Sequence, residues 1–247
     1  MQSIVASTRA AQVTDCAQSV LIKVGTMENS YFRDLQNGSM SLEVFRLTQE
    51  QFYFIVVYFA RPMAALLARI PDPRTRLDLL HNVVEEHGDF QPDAFHEVTI
   101  RKFVQSIDGN TDFDNMRPWA SIDALNNILM GTCVLDEVEV GVCCLGIIEY
   151  AFMTISATIA RTVIQRGWVQ PGHLTHYALH AEIDSRHAEE FFAIVEPLWQ
   201  DPARRPFIEK GLELGAYIWN RLYQDLYADA LATVASKKQS KVECLAK

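Results

Sequence analysis

An all-α fold of about eight helices, in a single domain spanning residues 1–247, is what this sequence predicts, and three observations carry that expectation. Proline and glycine divide the chain into long segments of helical period with short connectors between them. No β-branched run bounded by hairpin turns occurs, and there is no internal repeat or low-complexity tract. With 49% hydrophobic and 21% charged residues over 247 positions, the chain can bury one large core and is too apolar to be disordered.

The first long segment, Leu42 to Ile70, reads LEVFRLTQEQFYFIVVYFARPMAALLARI, and Pro62 within it predicts a kink rather than an end. The PDP connector, Pro71 to Pro73, then stops it. RTRLDLLHNVVEEHG follows and closes at Gly88, which suits a helix C-terminus. Further helices are expected to begin near Ala94, Ile122, Glu137, Gly172 and Phe207, separated by GNTDFDNMRP, Leu135-Asp136, RGWVQPG and PLWQDPARRP. Both chain ends are expected to fray. Within the first of those connectors Asp112 and Asp114 alternate as in a calcium loop, but the central glycine and terminal glutamate are missing, so a plain connector is expected.

Charge and cysteine content narrow the function. A net charge of -9 argues against a nucleic-acid partner, and the basic cluster Lys237, Lys238 and Lys241 sits in the C-terminal tail, where it reads as a solvated end. The five cysteines are odd in number, scattered and without C-x-x-C spacing, which supports neither a disulfide framework nor a thiolate zinc site and suits a reducing cytoplasm. MQSIVASTRAAQ has no apolar run behind a basic start, so no secretory signal is expected. VGVCCLGIIEYAFMTISATIA, Val140 to Ala160, is apolar enough for a membrane span, but Glu149 near its centre would cost about 2.5–3.5 kcal/mol there. A helix apolar all round because other helices surround it gives the same pattern, and no membrane partner is expected.

The chemistry concentrates in HAEIDSRH. At about 100° per residue His180, Asp184 and His187 fall on one helical face with His176, interleaved with Leu179, Ile183, Phe191 and Ile194. All seven histidines lie between His81 and His187. Glu85 and Glu86 in NVVEEHG, His96 in DAFHEV and Glu149 in the most apolar helix add carboxylates and one more imidazole. A buried lone glutamate needs a partner, because desolvation penalises its ionised form. Carboxylates and imidazoles from several helices, with no thiolate, suit iron or manganese, and helical bundles build two-metal sites in this way.

NVVEEHG, the downstream His96, the glutamate of IIEYAF and H-x3-D-x2-H in HAEIDSRHAEE together resemble the haem-oxygenase-like di-iron oxidases, in the branch of the chlamydial death-domain-associating protein. The resemblance spans Leu42 to Glu190, and that fold is shared with thiaminase II and the pyrroloquinoline-quinone biosynthesis oxidase. It implies a haem-oxygenase-like helical bundle with Glu85, His96, Glu149, His180, Asp184 and His187 as metal ligands, of which Glu85, Glu149 and Asp184 are also catalytic. Glu86 points about 100° away from Glu85, and the family's EE-x-G pattern favours the first of the pair. Two Fe(II) ions, with manganese as an alternative, and dioxygen as co-substrate are implied. So is a biosynthetic N-oxygenation, desaturation or carbon-carbon cleavage of a small, amino-acid-derived metabolite, with an external electron donor and a homodimer in the cytoplasm.

The substrate pocket is expected along the kinked helix at Phe52, Tyr53 and Val56 and beside Glu149 at Phe152, Met153 and Ser156, with His176 orienting the substrate. Tyr217 or Tyr223 would close it, and Arg161 or Arg186 would pair with a substrate carboxylate. Relatives that consume their own lysine find no counterpart here, since no lysine occurs between Lys102 and Lys210. Three rival readings remain: a metal-free thiaminase-II-like hydrolase or cofactorless oxidase, a non-enzymatic interaction protein, and a haem protein, which would leave the histidine-aspartate face unexplained. Cys143 and Cys144 invite a nucleophilic reading, but amid Val142, Leu145 and Ile147 they are expected to pack as inert thiols.

Overall fold

The computed structural model describes residues 10–107 and 111–245, apart from the side chains of Glu182 and of 241–245. The expected frayed ends, part of the Gly109 to Pro118 connector and the side chain of Lys241 therefore lie outside the described residues. Among the described residues the structure is all-α, with nine α-helices and no strand: α1 Ala11–Val24, α2 Ser30–Asn37, α3 Leu42–Leu67, α4 Arg76–Glu86, α5 His96–Ile107, α6 Ala120–Leu135, α7 Val138–Gln165, α8 Thr175–Val195 and α9 Arg205–Leu245. The helices beyond the expected set are α1 and α2. Asn29 caps α2 by accepting from the Phe32 amide, and both helices end at a left-handed glycine, Gly25 and Gly38.

Ser41 caps α3 by accepting from the Val44 amide, and the helix runs on through Pro62 to Leu67 as expected. At the centre lies α7, in which every residue from Glu139 to Glu149 is buried. It is also the one described helix long and apolar enough to cross a membrane, but most of that apolar stretch is covered by the protein's own helices. Packing is most extensive between α7 and its two flanking helices, α8 and α9.

Two glycines let α9 lie against α7 backbone to backbone. A Cβ on Gly211 would stand 2.5 Å from the Val140 carbonyl oxygen, and one on Gly215 would stand 2.5 Å from the Cys144 carbonyl oxygen. Gly146 of α7 makes room for the side chains of Phe191 and Phe192 of α8. Cys133, Cys143 and Cys144 are buried free thiols, and burial pushes the pKa of each up, that of Cys133 to about 12. Cys143 and Cys144 thus pack as the inert thiols the sequence leads one to expect.

Candidate metal centre

Three pieces of chain meet beside the middle of α7. The last turn of α4 brings Glu86, the first residue of α5 is His96, and α8 presents His176, His180, Asp184 and His187 along one face, opposite Glu149 of α7. The link from α4 to α5 turns back through three consecutive left-handed residues, Gly88, Asp89 and Phe90. Gly88 is required there, since a Cβ would lie 2.5 Å from the Ala94 backbone. This bend returns His96 to its neighbour, with Nδ1 2.9 Å from Glu86 Oε1, close enough for an ion pair but out of line for a hydrogen bond.

Glu85 does not join this group, and the expectation that it would be the inward member of the pair is corrected. The buried residues of α4 are Leu79, Asn82 and Glu86, spaced three and four apart, so Glu86 ends the inward stripe and Glu85 points about 100° away. Glu85 instead accepts two hydrogen bonds from Arg186, at 2.6 and 2.9 Å, and its Oε2 lies 2.8 Å from His187 Nε2. The other five expected ligands, His96, Glu149, His180, Asp184 and His187, are all buried and stand together.

Their polar atoms form two overlapping triads. One ligand atom each from Glu86, Glu149 and His187 lie within 4.8 Å of one another, and so do atoms from Glu149, His180 and Asp184. Glu149 is common to both. Hydrogen bonding fixes how the imidazoles present themselves. His180 Nδ1 donates to Asp184 Oδ1 at 2.7 Å, which turns Nε2 free, and His187 donates through Nε2 to Glu85, leaving Nδ1 3.8 Å from Glu149 Oε2. His180 Nε2, His187 Nδ1, Glu149 Oε1 and Asp184 Oδ2 are buried without a hydrogen-bond partner.

The electrostatics point the same way. Burial, joined by the charges of Asp184 and Glu86, raises the pKa of Glu149, and burial raises that of Asp184 well above the usual range. Burial also opposes a charge on His187, but the nearby Glu149 carboxylate and the hydrogen bond to Glu85 outweigh it and hold that imidazole up at about 10. His180 is pushed down to about 3 by burial and by neighbouring His96, so it is neutral with a lone pair to offer. For Glu86 burial raises the pKa, but His96 and the other imidazoles outweigh it and leave it lowered. Carboxylates crowded in this way call for positive charge in their midst. Unsatisfied buried polar groups cost about 1–3 kcal/mol each, and so many converging at one place fit divalent cations better than a packed core.

A narrow adjoining cavity opens onto both triads, with Glu86, Glu149, His176 and His180 in its wall. Of the expected pocket residues Phe52, Val56, Phe152 and His176 line it. Tyr53 does not: its hydroxyl donates to Glu97 at 3.0 Å and its ring packs on Phe113. Met153 lies in a separate groove between α1 and α7, Ser156 is buried outside the lining, and Tyr217 is 63% exposed. Tyr223 stands behind Phe52 and Trp219. Sequence reasoning missed Ile55, Phe59 and Ile148, which share helical faces with Phe52 and Phe152, and Trp219, which comes from α9. Arg161 is exposed and Arg186 is bound to Glu85 and Glu190, so neither of the expected cations faces the cavity.

Residues 46–219 match the profile of a family described as iron-containing redox enzymes. The 4-aminobenzoate synthase of Chlamydia trachomatis is 24% identical over 204 residues, covering 80% of this chain and 83% of that protein. A CADD-like protein of unknown function from Nostoc punctiforme has the same fold, with a TM-score of 0.73 at 13% identity over 89% of this chain and 99% of that one. Haem oxygenase-1 of Synechocystis matches with a TM-score of 0.59 at 9% identity, over 96% of this chain and all of the other, at 100%. The bundle is thus haem-oxygenase-like, as the motifs led one to expect.

Proposed function

The chain belongs to the family of iron-containing redox enzymes, and from that we propose that it is a non-haem di-iron oxidase, using dioxygen to oxidise a small metabolite. The observation that carries this reading is the pair of triads sharing Glu149, with unpaired buried donor atoms in both. Glu86, Glu149 and His187 would hold one ion, Glu149, His180 and Asp184 the other, and His96 would add its imidazole beside Glu86. When bound, ferrous iron supplies the electrons for dioxygen activation, and manganese would suit the same donors.

The chain's own part is to fix donors, exclude water and hold the substrate. Glu85, clamped by Arg186, keeps the proton of His187 on Nε2 and so directs Nδ1 inward. Phe52, Phe152 and Trp219 make a dry wall on the cavity side. The substrate is a small, largely apolar molecule to be oxygenated, desaturated or cleaved in a biosynthetic step, with an external donor returning electrons. If it is amino-acid-derived, its carboxylate would be held by the metal ions or would lie outside this cavity, since no lysine or arginine lines it. The metal-free hydrolase reading lacks a nucleophile, because the buried thiols are held protonated and none lines the cavity.

Anaerobic addition of ferrous iron to the metal-free protein is expected to give about two ions per chain, and His180→Ala to lose the ion of its own triad with helicity retained. Iron uptake by that variant equal to wild type would overturn the reading. Screening apolar amines and alcohols for triggered oxygen consumption would then identify the substrate. Removing the outer support is expected to act more mildly: Glu85→Ala, assayed by competition with a chelator, lowers iron affinity about 10–100-fold. An unchanged affinity would show that His187 needs no such orientation.

A further inference from the structure

We propose that His176 holds the substrate, accepting through Nε2 a hydrogen bond from a single N–H or O–H group on an otherwise apolar molecule. This rests on the di-iron reading only in taking the cavity beside the triads as the place of the substrate. His176 belongs to neither triad, yet it is 1% exposed and forms part of the cavity wall.

Its tautomer follows from a chain of hydrogen bonds. The Thr99 hydroxyl gives its one hydrogen to the His96 carbonyl at 2.9 Å. The same oxygen lies 3.1 Å from His176 Nδ1, so at this contact the imidazole must be the donor. Thr175 donates to the Thr99 carbonyl at 2.9 Å, which ties α8 to α5 and sets the ring in place. With Nδ1 carrying the hydrogen, Nε2 of the neutral ring carries a lone pair, and it is buried without a partner.

The remaining wall decides what kind of molecule brings the donor. Apart from the acids and imidazoles of the metal side it is aliphatic and aromatic, with the buried, unpartnered indole N–H of Trp219 its remaining polar group, and no lysine or arginine lines it. On this side of the cavity a carboxylate would find no side-chain cation, and only ions held by Glu86 and Glu149 would offset its charge. A neutral amine, alcohol or phenol with a hydrocarbon body fits: the body takes the Phe52, Phe152 and Trp219 side, and the donor reaches Nε2.

The test uses the full chain labelled with nitrogen-15 histidine and loaded with zinc, a diamagnetic stand-in for iron. The Nε2 resonance of His176, assigned by its loss in His176→Phe, is expected to be unprotonated, to be unmoved by zinc and to shift with 4-ethylaniline. It should not respond to 1-ethyl-4-methylbenzene, which has the same shape and no donor. The ratio of the two probe affinities is expected to fall roughly fivefold in His176→Phe and to recover in part in His176→Gln, which restores an acceptor. A protonated Nε2, a shift caused by zinc alone, or a probe preference that survives His176→Phe would each overturn the proposal. Failure of zinc to bind, with Nε2 behaving as expected, would instead remove the di-iron reading and leave His176 as the acceptor.

Discussion

Replacing Glu149 by glutamine is expected to abolish iron uptake altogether, from about two ions per chain to none, although only one side-chain atom changes. Both triads depend on this carboxylate, so no position survives its loss. The affinity cost should exceed the roughly 100-fold upper range seen for partners outside the ligand set. Glutamine has nearly the same volume, and burial already raises the pKa of Glu149 towards a neutral form that the amide imitates. The metal-free bundle should therefore keep its helicity and melting temperature. Metal analysis after anaerobic loading and desalting, alongside circular dichroism, reads both outcomes. One iron retained per chain would show that Glu149 is not shared.

The second large effect is on stability and lies away from the metal. Gly215→Val is expected to destabilise the bundle by about 3 kcal/mol or more, as overpacking at rigid sites does. A Cβ there would be 2.5 Å from the Cys144 carbonyl oxygen and 2.5 Å from Ile147 Cγ2, so α7 backbone as well as a side chain would have to move. In a chain of this length that corresponds to a fall in melting temperature of roughly 6–12 °C. Gly131→Ala on α6 is the control, because a Cβ at Gly131 meets nothing within 4 Å. It should leave the protein unchanged or stabilise it by about 0.5–1 kcal/mol. Thermal melts followed by circular dichroism distinguish the two, and equal melting temperatures would mean that α7 and α9 are not in this close register.

Local pattern made much of this legible. From α3 onward, proline, glycine and long apolar periods mark each helix, whereas α1 buries only Val13 and Ala17 and α2 spans eight residues, too little for a stripe to stand out. His176, His180, Asp184 and His187 could be read as one face because a helix fixes the spacing of its own side chains. Glu86 was also within reach, since Leu79, Asn82 and Glu86 keep helical period, but the family pattern pointed to Glu85 instead. Tyr53 and Met153 illustrate the same sensitivity: each is one residue, and about 100°, from a true wall residue. Trp219 was beyond local reasoning, because which side of α9 meets the cavity depends on how closely Gly211 and Gly215 let that helix approach.

The bend between α4 and α5 has one more consequence. Glu149, His180 and Asp184 come from two consecutive helices packed along each other, whereas the other triad borrows Glu86 from across three left-handed residues. The two seats are therefore unequal by construction: one is finished as soon as a single helical hairpin forms, and its twin waits for a distant stretch of chain to arrive.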